Sequence, residues 1–269
     1  MTGREQPPFV VTTSRRPSGE VQREARDWAE RLGVRYVPRR QCSLAAVIAE
    51  AGVPAALVVS SQRVVFVWPE RDVEYFFHPS MAKIRLRNLA ARRGDPMVTA
   101  MGLQAGQQVL DCTLGRASDA VIASYVIGPE GRVVGLEVVP VICQLTAHGV
   151  QHYRSGRTDL DEALRRIAVH CADYREYLPQ CESQSFDVVY FDPVFTRPLL
   201  DALPMAPLRE LAAKGTVTPQ VLQEARRVAR ERVVIKDVIH SELWAELGVA
   251  TVVRGGGSRI EFGVIEAGD

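Results

Sequence analysis

The chain has 269 residues and only five cysteines, Cys42, Cys112, Cys143, Cys171 and Cys181, with no Cys-x-x-Cys pair among them. An odd count without that spacing argues against a disulfide framework or a thiolate zinc site and points to free thiols. His148 and His152 share a helix face at i, i+4, but no third ligand accompanies them, so no metal is expected. No apolar run approaches the roughly 18 residues that span a bilayer. The N-terminal MTGREQPP lacks the apolar core of a secretory signal. These absences set the expectation of a cytoplasmic chain with no membrane partner. The glycine fingerprint of dinucleotide sites, Gly-x-Gly-x-x-Gly, is missing too, which disfavours NAD-dependent oxidoreduction. Lysine is scarce: it supplies three of 33 basic side chains, at positions 83, 214 and 236.

What remains is an ordinary globular composition, long enough for one large or two small domains with a sizeable core. Charge is unevenly spread. Residues 1–93 hold 16 basic and 9 acidic side chains, whereas residues 94–269 hold 17 and 23. A basic front beside an acidic back suits a polyanion-binding module joined to a catalytic one. The competing reading of so strong an arginine bias is genome composition.

Residues 9–14 read as a strand, and residues 19–32 as an amphipathic helix with Val21, Ala25, Trp28, Ala29 and Leu32 on one face. RYVPR reads as a short strand, SLAAVIAEAG as a helix, and AALVVSS with RVVFVWPE as a hairpin. This is a small α/β domain, residues 1–77. The second domain, residues 78–269, opens with a basic helical lead-in over 78–102 that carries Lys83, Arg85, Arg87, Arg92 and Arg93. Lys83, Arg85 and Arg87 are candidate contacts to a nucleic-acid backbone, since phosphates need positive charge and no particular sequence. A merely solvated basic face is the alternative.

After Gly102, near-continuous apolar strands (QVLDC, RVVGLEV, AVHCAD, FDVVYFD, RVVIKDV) alternate with helical stretches, and ATVVR with RIEFGVI closes the chain around Gly255-Gly256-Gly257. That alternation predicts an α/β doubly wound sheet, and the closing pair an antiparallel edge hairpin. Residues 196–218 form a long irregular stretch of the kind that usually serves function.

Ligands of such sheets bind beyond the carboxyl ends of the strands. Four successive strand ends carry Asp111, Glu137, Asp173 and Asp192. One such acid is unremarkable as a cap or solvated end; four in register are hard to explain by packing. In QVLDCTLGRASD the small residues Thr113, Gly115 and Ala117 recur at spacing two after Asp111, a pattern that suits S-adenosylmethionine (SAM). Glu137 is placed to accept from both ribose hydroxyls, Asp173 from an adenine amino group beside Cys171 and Tyr174, and Asp119 to meet the cationic end of SAM. Lys236, in an apolar strand, faces either the pocket or solvent. Arg197 is a candidate for holding a target phosphate, and His78 either covers the cofactor or is structural.

Tyr190-Phe191-Asp192-Pro193-Val194-Phe195 resembles the Asp-Pro-Pro-Phe/Tyr motif of class I SAM-dependent methyltransferases acting on exocyclic base nitrogens. Together with VLDCTLGRASDA, VVGLE, VVIKD and FHPSMA, it makes residues 78–265 similar to the 16S ribosomal RNA guanine-N2 methyltransferase J family and its Gram-positive relatives. The resemblance implies a class I, Rossmann-like methyltransferase fold, SAM as cofactor, and ribosomal RNA or a ribosomal subunit as partner. It further implies Ser118, Asp119, Glu137, Val138, Asp173, Tyr174 and Asp192 at the cofactor, with Asp192, Pro193 and Phe195 on the target base. The chain departs from the family at Val194, where a second proline is usual, and at Ser118, where the guanine enzyme has arginine. Methylation of a protein carboxylate or small molecule, and a non-catalytic nucleotide- or RNA-binding module, are the other readings of the same residues.

Overall fold

The structure, a computed structural model, describes residues 8–193 and 217–268. They form two compact units: residues 8–77 with Val139–Leu145, and His78–Val138 with residues 146–193 and 217–268.

The first unit is built on a four-stranded sheet of β1 (Phe9–Thr13), β2 (Ala55–Val59), β3 (Val64–Trp68) and β4 (Val73–Tyr75), in that order. β1 and β2 are parallel, so the chain crosses over through α1 (Gly19–Leu32) and α2 (Leu44–Ala51), while β2, β3 and β4 form an antiparallel meander. Ser18 and Ser43 cap the two helices by accepting from Val21 N and Ala46 N, and Gly33 and Gly52 end them in the left-handed region. Every residue of β1 is buried, as expected of a parallel strand covered on both faces. The expected strand RYVPR pairs with β1 by one bridge, Val11 to Tyr36, made by Val11 N to Arg35 O and Val37 N to Val11 O.

The second unit begins with α3 (Ala82–Ala90) and α4 (Pro96–Met101). Its sheet comprises β5 (Gln108–Asp111), β6 (Arg132–Glu137), β7 (Ile167–Cys171), β8 (Phe186–Phe191), β9 (Ala229–Val238), β10 (Thr251–Arg254) and β11 (Ile260–Glu266). The order is β10-β11-β9-β8-β5-β6-β7. The five strands β5 to β9 are parallel, and β10 and β11 add the antiparallel edge. Between them run α5 (Ala120–Ile127), α6 (Pro140–His152), α7 (Thr158–Arg165), α8 (Tyr174–Tyr177), α9 (Pro219–Val228) and α10 (Leu243–Glu246). This is the doubly wound arrangement with an edge hairpin.

Period-two alternation divides the sheet into a packing face and a chemical face. Leu110, Leu136, Val189, Phe191, Val233 and Ile235 join Val221, Leu222, Ala225 and Val228 of α9 in one apolar cluster. The alternate residues look the other way. Asp111 stands in register with Gly135 and Tyr190, and Tyr190 with Val234. Two residues further along their strands, Glu137, Asp192 and Lys236 therefore share the face of Asp111 and Tyr190, at the carboxyl edge. A one-residue slip would drive these charges into the apolar layer, so the pattern also specifies the register.

Helix ends and short elements are less legible in the sequence than the strands. Helix α5 starts at Ala120, after Ala117, which is left-handed at φ 57°. Arg92 and Arg93 lie beyond the end of the basic helix α3, and α4 follows at once, capped by Asp95. Strand β4 and helix α10 are too short for periodicity to reveal.

Gly135 is the tightest point of the chemical face: a Cβ there would lie 2.4 Å from Leu114 Cδ1. Leu114 belongs to the turn after β5 and donates its N–H to Leu136 O at 2.9 Å. Gly135→Val is expected to cost about 1–3 kcal/mol through overpacking and to lower the melting temperature by several degrees, measured by calorimetry. An unchanged melting temperature would show that Leu114 yields freely.

Candidate active site

The first piece of the site is the turn after β5. Asp111 is buried and its Oδ1 accepts from Thr113 N at 3.0 Å. Gly115, at φ 50°, donates its N–H to Glu137 Oε2 at 3.2 Å and accepts from the Thr146 hydroxyl at 2.6 Å. The turn is thus tied to the end of β6 and to α6. Within 4 Å a Cβ at Gly115 would meet only Thr113 O, at 3.9 Å, so a ligand has room to lie against this backbone. Ala117, buried and left-handed, carries the chain from the turn into α5, with Ser118 half-buried beside it. Glu137 is itself buried beside the turn and Val138 half-buried after it. A carboxylate next to a glycine turn at a strand end is an acceptor of the kind that can take hydrogen bonds from ribose hydroxyls.

The second piece is a chain of alternating charge that composition alone does not reveal. Arg85 makes a two-pronged contact with Asp95, Nε to Oδ2 at 2.7 Å and Nη2 to Oδ1 at 2.8 Å, and its Nη1 donates to Asp119 Oδ1. Asp119 Oδ2 accepts from the Tyr190 hydroxyl at 2.8 Å and from Lys236 Nζ at 2.9 Å. Lys236 Nζ also donates to Asp192 Oδ2 at 2.8 Å. Asp192 N in turn donates to Thr113 Oγ1 at 2.6 Å, which closes the network onto the first turn.

Burial would push the Asp119 carboxyl up, but Lys236, Arg85 and the Tyr190 hydroxyl outweigh it and hold the group well below the usual carboxylate range. Burial would lower Lys236, yet Asp119 and Asp192 raise it above an ordinary lysine. Asp111 lacks such a partner. Burial pushes its carboxyl up to about 8, the charges of Asp119 and Asp192 add to the rise, and the Thr113 N–H and Lys236 oppose it.

The structure brings several of the expected side chains to one sheet edge and gives others a local partner. Lys83 and Arg87 are exposed on α3, but Arg85, on the same helix, turns inward. Its guanidinium is spent on two carboxylates and does not reach out to a phosphate. Asp119, expected at the cationic end of a ligand, is already saturated by Arg85, Tyr190 and Lys236. Asp173 caps α8 through Arg175 N at 3.0 Å and pairs with the Arg175 guanidinium, so its local role is structural. Tyr174 is buried with its ring edge-on to Phe191 in the apolar cluster, not beside a ligand. His78 packs edge-on against Tyr153, and burial together with Arg116 and Lys83 lowers its pKa. Phe195 and Arg197 lie outside the described residues. Tyr190, Asp95 and Thr146 were missed. Tyr190 had a signal: it sits two residues before Asp192 and so shares its face, a polar group in an otherwise apolar strand.

Among the described residues no group of His, Cys, Asp and Glu is placed to hold a metal ion, and no helix is long and apolar enough to cross a membrane. All five cysteines are free.

A family profile described as "Putative SAM-dependent methyltransferase" matches residues 71–261. The Bacillus subtilis protein YpiP, itself uncharacterized, is 35% identical over 257 residues, covering 96% of this chain and 99% of its own. The ribosomal RNA small subunit methyltransferase J of Halorhodospira halophila is 30% identical over 227 residues, 81% of this chain and 80% of its own. Among solved structures, a SAM-dependent methyltransferase from Neisseria gonorrhoeae superposes with a TM-score of 0.63 over 96% of both chains at 18% identity, a likeness of fold.

The Asp111 environment predicts a pH dependence of stability. The folded chain keeps this proton up to about pH 8, whereas the free carboxyl loses it near 3.8. The stabilisation from the folded, protonated form is therefore complete below pH 3.8 and is lost as pH rises to about 8. Asp111→Asn removes that loss, so its urea-unfolding free energy should gain on the parent chain between pH 4 and 8. A constant difference between the two across that range would refute the assignment.

Proposed function

The chain belongs to the SAM-dependent methyltransferase family, and from that membership we propose that it methylates an exocyclic base amine, guanine N2 or a similar amino group, in ribosomal RNA. The membership makes it an enzyme with SAM as cofactor. The residues fit that group: the open backbone at Gly115, the Glu137 carboxylate beside it, and Asp111, Thr113, Ala117, Ser118 and Val138 around the same turn. SAM, when bound there, supplies a methyl group on a positively charged sulfur that departs as a neutral thioether.

The observation that carries the choice of acceptor is the placement of Asp192-Pro193, held to the cofactor turn by the Asp192 N to Thr113 Oγ1 bond and on the chemical face of the sheet. A base amino group is conjugated with its ring and is a poor nucleophile. The Asp192 carboxylate and the Pro193 carbonyl are two acceptors for its two N–H bonds, and drawing on both makes the nitrogen tetrahedral and frees its lone pair. As the new carbon–nitrogen bond forms, the nitrogen becomes positive. The Asp192 carboxylate stabilises that charge until the extra proton leaves to water. No strong general base is required, because the bond that breaks is already polarised; alignment supplies most of the acceleration. Phe195 would stack on a base taken out of its helix. Exposed Lys83 and Arg87 supply charge for the RNA backbone, consistent with the ribosomal RNA methyltransferase names of the relatives. Such a substrate assigns the protein to the cytoplasm.

Two measurements test this reading. Purified protein should transfer tritiated methyl groups from SAM to unmodified ribosomal RNA or subunits, and S-adenosylhomocysteine should raise its melting temperature by several degrees. Asp192→Ala should lower transfer by about 100-fold or more while keeping most of the thermal shift. Thermal shift without transfer to any RNA would overturn the RNA assignment. Full activity of the Asp192 variant would favour a carboxylate or small-molecule acceptor, which needs no Asp-Pro pair.

A further inference from the structure

We infer that Lys236 is a positioning residue for the reaction: it clamps and orients the Asp192 carboxylate, and Asp119 and Arg85 hold Lys236 in place to do so. The inference rests on the reading of Asp192 as the acceptor for the base amine.

The alternating chain Asp95, Arg85, Asp119, Lys236, Asp192 has one closed and one open end. Side-chain exposure is 7% at Asp95 and 12% at Asp119, and 30% at Asp192. Every member behind Asp192 is less exposed than it is, Arg85 at 21% and Lys236 at 19%. Lys236 is the link that joins scaffold to site, with one nitrogen donating to Asp119 at 2.9 Å and to Asp192 at 2.8 Å.

Other roles fit Lys236 less well. A direct contact to substrate requires an outward ammonium, but this one points between two carboxylates and its side chain is 19% exposed. A general base requires a neutral amine, and the two acids favour the charged form. A purely stabilising ion pair is a weak explanation, since removing two charges from water offsets most of their attraction and well-packed apolar residues do as well.

Residue type points the same way. This chain uses arginine for nearly every cation, and lysine at only three positions. An ammonium is a compact charge whose single nitrogen can meet two carboxylates at once, whereas a guanidinium spreads its donors over a planar fork. Arg85 also bridges two carboxylates, but through the spread fork, with two prongs on Asp95 and a third nitrogen on Asp119, whereas Lys236 meets both of its partners through one nitrogen.

The clamp has two consequences for Asp192. With Oδ2 held by Lys236 and the backbone N held by Thr113, the carboxylate plane and its remaining lone pairs have a set direction. An ammonium at that distance also favours the charged form of the carboxylate. Among the described residues its charged and titratable neighbours include Asp111 from β5, Asp119 before α5, Tyr190 from β8, Lys236 from β9 and, through Asp119, Arg85 from α3. Without the ammonium, three carboxyls would share one pocket edge, and the most exposed would retain its proton to higher pH. A protonated Asp192 accepts the amine poorly.

The test uses the full chain with Lys236→Met and Lys236→Arg, and Lys236→Gln should the Met variant fail to fold. In methyl transfer to unmodified ribosomal subunits, loss of the charge should lower kcat by about 100-fold and change KM for SAM far less. The acid limb of the kcat profile should move up by about one pH unit, with partial recovery in the Arg variant. In a D192N background, K236M should cost little more, because the clamp then has nothing to orient. Equal losses in kcat and S-adenosylhomocysteine affinity with an unmoved acid limb, or additive losses in the double variant, would reduce Lys236 to a structural role and overturn the inference. An NMR titration of carboxyl-13C aspartate, assigned with D192N, separates this from failure of the RNA reading. A higher Asp192 titration point in K236M upholds the clamp whatever the acceptor, and an unmoved one removes it even if RNA is methylated.

Discussion

The site depends on keeping several carboxylates together at one edge of a sheet, against their mutual repulsion. Asp119 and Asp192 lie close enough to Asp111 to raise its carboxyl, with Asp95 behind Asp119. Two cations reconcile them. Arg85 joins Asp95 to Asp119, and Lys236 joins Asp119 to Asp192, so every negative charge in the chain meets a positive one. Asp111 is the exception, and it resolves its position by holding a proton instead. The same charges thus appear as ion pairs where a cation is available and as a neutral acid where none is.

This arrangement is possible only because the strands alternate. A parallel strand buried on both faces usually reads as continuous apolar sequence, and β8, FDVVYF, nearly does. Yet alternate residues of β5, β6, β8 and β9 enter different layers. Leu110, Leu136, Phe191 and Ile235 build the packing face with α9, and Asp111, Glu137, Tyr190 and Lys236 build the chemical one. Gly135 leaves room on the chemical face for Leu114, and Leu114 anchors the turn that brings Gly115 to Glu137. Packing, turn geometry and cofactor grip therefore share a small set of residues.

The helix α3 shows how one element serves two purposes. Its basic residues read from sequence as a single cationic face. In the fold, Lys83 and Arg87 remain exposed while Arg85 crosses into the interior. Neighbours at i+2 on a helix point in different directions, so a stripe of like residues need not act as one surface. A surface that would meet RNA and an internal brace for Asp119 are thereby carried on the same nine residues.

Much of the fold was legible in the sequence because it depends on local periodicity. Apolar runs separated by amphipathic stretches located the five parallel strands and the edge hairpin to within three residues, and acids stood at the ends of four of those strands or just beyond them. The Asp192-Pro193 pair and the spacing of Thr113, Gly115 and Ala117 were legible for the same reason: a turn is written by consecutive residues. What the sequence could not express is which charges neutralise one another. Arg85 and Asp119 are 34 positions apart, and Lys236 and Asp119 are 117 apart. Their pairing follows from sheet order and from the direction each side chain takes out of its strand or helix, properties of the assembled structure. The residue types and the edge were determined locally. The assignment of Arg85 and Lys236 to carboxylates instead of substrate, of Asp173 to a cap and of Tyr174 to the core was decided by tertiary packing, because a buried charge or ring takes its role from its neighbours in space.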